Sequence, residues 1–170
     1  MNTKCIIALT ILISGCSSAT YEEPDYENGK KLEKSAQIYI LAPQNGSFEG
    51  KEYSESSMEV VEAIRSAVSE YSKTPIIVKD CKSISCVSNT SGESEIYYIV
   101  PEIIHWEDRA TEWSGISDKI KIRLTVYNAK EKEISSTVFF GKSKWWTMGG
   151  DHPEDLLEKP INNYINTLYL

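Results

Sequence analysis

The stretch Lys119–Tyr127 constrains the fold more than any other part of this chain, because polar and apolar residues alternate along it without a break. Strict alternation places every second side chain on one face, as expected of a strand with one buried and one solvated face. The alternation resumes at 134–140 after the turn-forming segment Asn128–Glu131, and a long apolar run at Glu95–Trp106 precedes it. Three strands joined by short connections predict an antiparallel meander.

A strand–helix–strand unit is predicted in the first half of the chain. Ile38–Leu41 is a short apolar run typical of a buried strand, and the polar residues 44–55 are then expected to form a loop. Ser56 followed by Glu59 matches a capping box, after which apolar residues recur at helical spacing. A second apolar run at Ile76–Val78 completes the unit, whose crossover should be right-handed.

Two prolines refine the predicted elements of the second half. Pro101 cannot donate to a β-ladder, so its strand should have a bulge there or lie at a sheet edge. The last helix is predicted to begin near Pro153, and Pro160 indicates either a kink or a short turn followed by the main helix. The order of elements predicts an α/β chain, specifically an α+β two-layer sandwich. Its mixed, mainly antiparallel sheet should have about five strands, with two helices on one face.

The N-terminal segment 1–16 predicts where the chain is located. Lys4, an apolar run of about nine residues and then small residues make up the composition of a secretory signal peptide, and the run is too short to span a bilayer. Ile13–Cys16 resembles the lipobox of bacterial lipoproteins, which implies cleavage after Gly15 and acylation of Cys16. The alternative is an ordinary signal peptide with an incidental cysteine.

The lipobox resemblance divides the chain into three parts. Residues 1–15 are expected to be the signal peptide, 16–35 a lipidated cysteine with a flexible tether, and 36–170 a single periplasmic domain. Ser17, where Asp would imply retention in the inner membrane, implies a lipid-anchored protein of the outer membrane that faces the periplasm. The formal net charge of −7 argues against nucleic acid as a partner and leaves membrane attachment to the acyl chains.

Cys81 and Cys86 remain once the signal peptide and the lipidated cysteine are set aside, and we predict that they form a disulfide. The oxidising periplasm favours such a bond. A redox site is the competing interpretation, but the Cys-x-x-Cys spacing is absent, and a metal site would need nearby histidine ligands. We expect no metal and no cofactor.

Tryptophans and histidines are predicted to meet at one end of the meander. Folding the strands at their turns brings six side chains together, namely Trp106, Trp113, Trp145, Trp146, His105 and His152. One interpretation is an aromatic binding surface for a protein partner or a glycan, and another is that the tryptophans close the open end of the core. A metal site, joining the histidines with Glu107, Asp108 or Asp151, lacks a ligand-spacing motif.

Two stretches around this end resemble an uncharacterised family of proteobacterial lipoproteins. They are residues 103–114, which begin Ile-Ile-His-Trp-Glu-Asp, and residues 145–157, which begin Trp-Trp-Thr-Met-Gly-Gly. With the lipobox, the resemblance covers nearly the whole chain and implies an envelope location without an assigned activity. The order of elements is also similar, in topology only, to periplasmic domains of the curli-secretion lipoprotein and of lipoprotein activators of cell-wall synthases.

Catalytic signatures are absent from the sequence. It contains no Gly-x-Ser-x-Gly elbow, no Gly-rich phosphate loop and no His-Glu-x-x-His motif. We therefore expect a non-enzymatic interaction or accessory protein of the cell envelope, with no catalytic residues and with an envelope protein or peptidoglycan as partner. The alternative is a lipoprotein that binds a glycan or small ligand at the Trp-rich end, and an envelope hydrolase is a distant third.

Overall fold

The computed structural model describes residues 19–22, 31–72, 74–81, 83–87, 95–109, 116–144 and 152–170, so the predicted signal peptide and Cys16 lie outside it. In these ranges the chain forms a six-stranded sheet, a two-stranded hairpin and two α-helices. The strands are β1 (Thr20–Glu22), β2 (Gln37–Leu41), β3 (Gly46–Phe48), β4 (Lys51–Tyr53), β5 (Ile76–Val78), β6 (Ile96–Glu107), β7 (Lys119–Asn128) and β8 (Glu133–Lys142). The helices are α1 (Ser56–Ser69) and α2 (Glu158–Tyr169), with 3₁₀ turns at Ile84–Cys86 and Pro153–Leu156.

The strands of the large sheet follow the order β1-β8-β7-β6-β2-β5. The meander β6-β7-β8 is antiparallel, β1 pairs antiparallel with β8, and β2 runs parallel to both β5 and β6. The predicted meander, the strand–helix–strand unit and the mixed, mainly antiparallel α+β fold are thereby confirmed. The sheet has six strands where about five were expected, because a segment of the predicted tether adds β1.

Both helices lie on one face of the sheet, as predicted, and enclose the main core between them and the strands. The alternating apolar residues of β7 are all buried there, since each points toward the helices. The core combines Ile120, Ile122, Leu124 and Val126 of β7 with Val61, Ile64 and Val68 of α1 and Ile161, Tyr164 and Ile165 of α2. Burial of these apolar side chains supplies the main driving force for the fold.

A smaller apolar cluster occupies the opposite face of the sheet. Tyr39 and Tyr98 meet there with their ring centroids 5.6 Å apart, and Ile84, in a 3₁₀ turn, packs against the cluster. The predicted disulfide between Cys81 and Cys86 is present in the same segment, with its Cα atoms 6.0 Å apart. The disulfide segment therefore supplies apolar cover for a face that the helices leave open.

The segment 44–55, expected to be a loop, contains the β3–β4 hairpin, and this hairpin changes how α1 begins. The N-cap residue of α1 is Glu55, and no side chain caps the helix in the way that the predicted capping box requires. Ser56 instead accepts a hydrogen bond on its Oγ from the backbone N–H of Gly46, at 2.8 Å. The helix was predicted correctly, but its capping box was wrong because a tertiary contact with the hairpin takes the serine hydroxyl.

Pro160 matches one of its two predicted arrangements, whereas the prediction for Pro101 is met only locally, because β6 is an interior strand and its bulge lies at Ile104. Pro101 lies in β6 beyond Ile99, where the pairing of β6 with β2 ends, so the missing N–H falls on a strand segment with no sheet partner on that side. Pro160 falls in the first turn of α2, which begins only after the 3₁₀ turn Pro153–Leu156. A short turn followed by the main helix was one of the two predicted arrangements.

Parts of the segment 16–35, predicted as a free tether, contact the domain. Besides the pairing of β1 with β8, the backbone N–H of Leu32 donates to the carbonyl of Leu168 at 2.8 Å. The ammonium of Lys31 likewise donates to the carbonyl of Thr167 at 2.9 Å. Contacts with the domain thus begin well before residue 36. No helix within the described ranges has the length and apolar character needed to cross a membrane.

Candidate functional site

A β-bulge at Ile104 determines which side chains face the core at the end of β6. The register of β6 against β7 shifts between Ile103 and His105. Since side chains alternate along a strand, one extra residue reverses which positions point inward. Trp106 consequently lies opposite the buried Ile120 on the core side, and His105 points away from the helices.

Trp106 lies in the core. This position agrees with the interpretation that the tryptophans close the open end of the core. Only 2% of the surface of Trp106 is exposed, and it belongs to the same cluster as the helix residues. The hairpin packs against it so closely that a Cβ atom added to Gly46 would lie 2.9 Å from Cγ of Trp106. Trp106 is therefore a packed side chain and not an exposed anchor for a partner.

The other three tryptophans of the predicted cluster lie outside the described residues, as does Asp151. Their convergence stays a prediction. The two histidines do not come together, because His105 is on the outer face of β6 whereas His152 and Trp106 line a cavity beside α1. Within the described parts of the chain, no three His, Cys, Asp or Glu side chains are arranged to hold a metal ion.

The most highly organised group of side chains surrounds Glu107, a carboxylate that is 2% exposed. Arg109 Nε donates to Glu107 Oε1 at 2.6 Å, while Lys119 Nζ donates to Oε2 at 3.1 Å. His105 Nε2 lies 3.1 Å from the same Oε2 atom. Each partner side chain is about one-third exposed, so the buried negative charge has three partially solvated neighbours. We call these four residues the Glu107 cluster.

These partners decide the charge state of the buried carboxyl group. Burial alone would raise the pKa of Glu107, but hydrogen bonds from Arg109, His105 and Lys119 outweigh it and lower that pKa to about 2. Glu107 therefore stays ionised at any physiological pH. A carboxylate that does not exchange its proton near neutral pH is unsuited to general acid or base catalysis.

The β3–β4 hairpin covers part of the Glu107 cluster. The ring of Phe48 meets the imidazole of His105 edge-on, with centroids 5.2 Å apart, and the guanidinium carbon of Arg109 lies 4.8 Å from the centre of the Phe48 ring. Glu49, in the hairpin turn, has a carboxylate oxygen 3.8 Å from Arg109 Nη2. Phe48, Arg109 and Lys119 were not predicted to belong to this cluster, because no local motif marks them.

A cavity of about 300 Å³ lies on the helix side of the same end of the sheet. Trp106, Tyr53, His152 and several carboxylates, including Glu59, line it. Burial, followed by the nearby negative charges of three other acidic residues, raises the pKa of Glu59. The cavity is at the lower limit of volumes typical of small-molecule sites. Its acidic lining disfavours anionic ligands.

Asp118, just before β7, connects the chain segments that follow β6 and β8. Its Oδ1 accepts a hydrogen bond from the backbone N–H of Arg109 at 2.6 Å. Its own backbone N–H donates to Ser143 Oγ at 2.9 Å, and its carbonyl accepts from Ser143 N–H at 3.0 Å. Burial raises the pKa of Asp118, and the Arg109 N–H partly offsets the increase. The carboxylate of Asp118 thus holds the end of β6, and its backbone holds the end of β8.

Within the described residues, these features define an α+β domain in which one buried carboxylate is paired with partly exposed cationic side chains. The chain belongs to the DUF4823 family, a domain of unknown function, since the sequence profile of that family matches residues 30–168. The function of this family is unknown, in agreement with the uncharacterised family that residues 103–114 and 145–157 resemble. No curated protein matches the chain in sequence.

A solved structure, PelC, shares the fold at low sequence identity. The PelC dodecamer from Paraburkholderia phytofirmans aligns with a TM-score of 0.62 and 8% identity, over 88% of this chain and 96% of that chain. A protein of Xanthomonas campestris described as DUF330 aligns with a TM-score of 0.47 and 11% identity, over 81% of this chain and 84% of the other. At such identities the likeness to PelC shows the fold alone.

Proposed function

We propose that this protein is a lipid-anchored, periplasm-facing protein of the outer membrane that acts by binding another envelope component. The N-terminal sequence supports the anchor through its short apolar segment and the lipobox-like residues that end at Cys16. Membership of a family of unknown function neither adds an activity nor opposes this role.

The Glu107 cluster carries the proposal of binding without catalysis. Its carboxylate accepts hydrogen bonds from three side chains and keeps its charge, so it fixes the orientation of Arg109 and Lys119 and is a weak base near neutral pH. Partly exposed cationic side chains held in place by a buried carboxylate are suited to recognition of polar surfaces. The fold is compatible with such a role, because PelC, which has the same fold, is described as a dodecamer.

The anchor is tested by metabolic labelling with an alkyne analogue of palmitate in a bacterium that expresses the full chain. Wild-type protein should incorporate the label and sediment with the membranes, and Cys16→Ala should lose both properties. Cys5→Ala is the matched control, because that cysteine precedes the predicted cleavage site and its loss should change neither. Labelling that persists in Cys16→Ala, or no labelling of any form, would contradict the proposal.

The destination in the outer membrane is tested separately with Ser17→Asp. Since Asp at this position is expected to retain lipoproteins in the inner membrane, the substitution should move the protein to the inner-membrane fraction of a density gradient. A wild-type chain already found in that fraction would leave the lipid anchor standing but refute the outer-membrane location.

A further inference from the structure

The N-terminal strand fixes where the chain leaves the folded domain. β1 pairs with the last residues of β8, with Thr20 opposite Lys142 and Glu22 opposite Phe140. Tyr21, between them, is half-buried and packs against the core, and the ammonium of Lys159 on α2 lies 5.1 Å from the centre of its ring. The chain just after the proposed lipidated cysteine is therefore held between β8 and α2.

The register of the sheet places this exit point in line with the Glu107 cluster. Thr20 is opposite Lys142, Lys142 is opposite Lys119, and Lys119 is opposite Glu107. These four residues form one row across the ends of four neighbouring strands, which we call the terminal row. Adjacent strands are about 4.8 Å apart, so Glu107 lies only about 14 Å from Thr20 along the row.

Chain length then limits how far this end of the sheet can be from a lipid on Cys16. Thr20 is four positions after Cys16, and a fully extended chain of four such steps spans at most about 14 Å. Strand β8 extends for about 30 Å from Lys142 to the turn that connects it with β7. The end of the sheet that contains the terminal row is therefore held closer to the membrane of Cys16 than the turn between β7 and β8 is.

We infer that the terminal row faces the phospholipid headgroup layer of the membrane that holds Cys16, so that the Glu107 cluster opens toward that membrane. Lys142 is exposed and Lys119 partly exposed, which places ammonium groups where lipid phosphates would lie, whereas the carboxylate of Glu107 is buried beneath its partners. The acidic groups of the neighbouring cavity lie at the same end of the sheet but on its helix side, whereas the terminal row is on the opposite face. This inference rests on the proposed lipidation of Cys16.

Fluorescence quenching at the two ends of the sheet tests the orientation. The lipidated protein, purified from membranes, is reconstituted in phosphatidylcholine–phosphatidylglycerol vesicles that contain lipids with a nitroxide on the headgroup. A fluorophore is attached to Lys142→Cys or to Lys130→Cys, both exposed positions, and the Cys81–Cys86 disulfide leaves the introduced thiol to react. We expect strong quenching at position 142 and its loss at position 130. Equal quenching at both positions, or none at either, would overturn the inference.

Disruption of β1 provides a second measurement on the same protein. Tyr21→Pro removes a backbone N–H from the strand and should release it, so that the difference in quenching between the two label positions collapses. Tyr21→Phe keeps the ring and the N–H and should preserve the difference. A difference that survives Tyr21→Pro would show that β1 does not set the orientation. Failure of palmitate incorporation would refute the anchor as well, whereas normal incorporation with equal quenching would refute the orientation alone.

Discussion

The two ends of the β6-β7-β8 meander are built in opposite ways. At the turn end, which we define as Asn128–Glu133, the backbone and one side chain complete the structure. Asn128 Oδ1 accepts hydrogen bonds from the N–H groups of Lys130 and Lys132 at 2.9 and 3.1 Å, and Glu131 adopts a positive φ of 57°. At the site end, which contains the terminal row, side chains from distant parts of the sequence meet, as Glu49 does with Arg109 and Lys119 with Glu107.

The difference between the two ends indicates which part of a small domain can carry a binding function. A turn closed by its own backbone needs no partner and offers little for recognition. The site end keeps charged groups partly exposed and has a cavity beside them, features that local backbone pairing alone would not require. The same end also receives β1 and hence the proposed anchor. Substitutions at the two ends should therefore differ in effect, with the largest losses of stability at the site end.

Of the substitutions considered, Trp106→Ala should cause the largest loss of unfolding free energy. The side chain is fully enclosed, so its loss removes buried apolar surface and leaves a cavity, for about 3–5 kcal/mol of unfolding free energy. Tyr127→Ala is the matched control near the turn end and should cost less, because that ring is partly exposed. Urea denaturation of both variants measures the comparison. Equal losses would show that the site end is no more dependent on side-chain packing than the turn end.

Glu107→Gln should destabilise the fold by about 2–3 kcal/mol at neutral pH, since it leaves Arg109 and Lys119 without their buried counter-charge. The loss stays below the largest values for buried pairs because both cations are partly exposed. Glu102→Gln is the control on the same strand, and its exposed pairing with Arg123 predicts a change below about 0.5 kcal/mol.

The effect of Glu107→Gln should also depend on pH. The folded protein lowers the pKa of Glu107 from 4.5 to about 2, so its stabilising contribution is complete above about pH 4.5 and is lost as the pH falls toward 2. The unfolding free energies of the wild type and of Glu107→Gln should therefore converge over this range. A difference that stays constant from pH 7 to pH 3 would contradict the assigned charge state.

Gly46→Ala should cost about 2 kcal/mol by forcing the hairpin away from Trp106 and Ile103, whose Cγ atoms an added methyl group would approach to 2.9 Å. Gly50→Ala tests backbone strain alone, since its φ is +82° and its Cβ would meet no atom within 4 Å, and it should cost about 1 kcal/mol. Only Gly46→Ala should shift the indole N–H resonance of Trp106. An unchanged resonance would mean that the hairpin does not press on the tryptophan.

Asn128→Ala should have the smallest effect, about 1 kcal/mol, through loss of the two side-chain hydrogen bonds in the turn. Lys130→Ala, which keeps the backbone donor, is the control and should be nearly neutral. Because the turn end is proposed to have no role in binding, Asn128→Ala should leave membrane association of the lipidated chain unchanged. Loss of membrane association in this folded variant would contradict the division between the two ends.

The parts of the structure that could be predicted are those encoded by a pattern within one continuous stretch of sequence. The alternation in Lys119–Tyr127 identifies which β7 side chains are buried, and the run Ile76–Val78 after a helical pattern indicates a parallel strand. The bulge at Ile104 carries no local signature, yet it decides that Trp106 enters the core while His105 does not. The pairing of strands was thus more predictable than the direction of individual side chains.

The candidate site was less predictable than the fold for a related reason. His105 was identified from its position near the end of a strand, but Arg109 joins the cluster only because Glu107 is buried next to it. Phe48 comes from a hairpin that interrupts a polar segment, and Thr20 from a segment whose composition is typical of a linker. Each contact depends on which distant elements pack together, and one residue type at one position does not contain that information.

Photocrosslinking in cells shows whether the site end or the turn end of the domain meets the envelope. A photoreactive amino acid is placed at His105 or Lys142 in the site end, and at Lys130 in the turn end, in the lipidated full chain. We predict adducts with lipid or with a specific envelope protein from the two site-end positions and none above background from position 130. Equal adducts from both ends, or adducts from position 130 alone, would contradict the account.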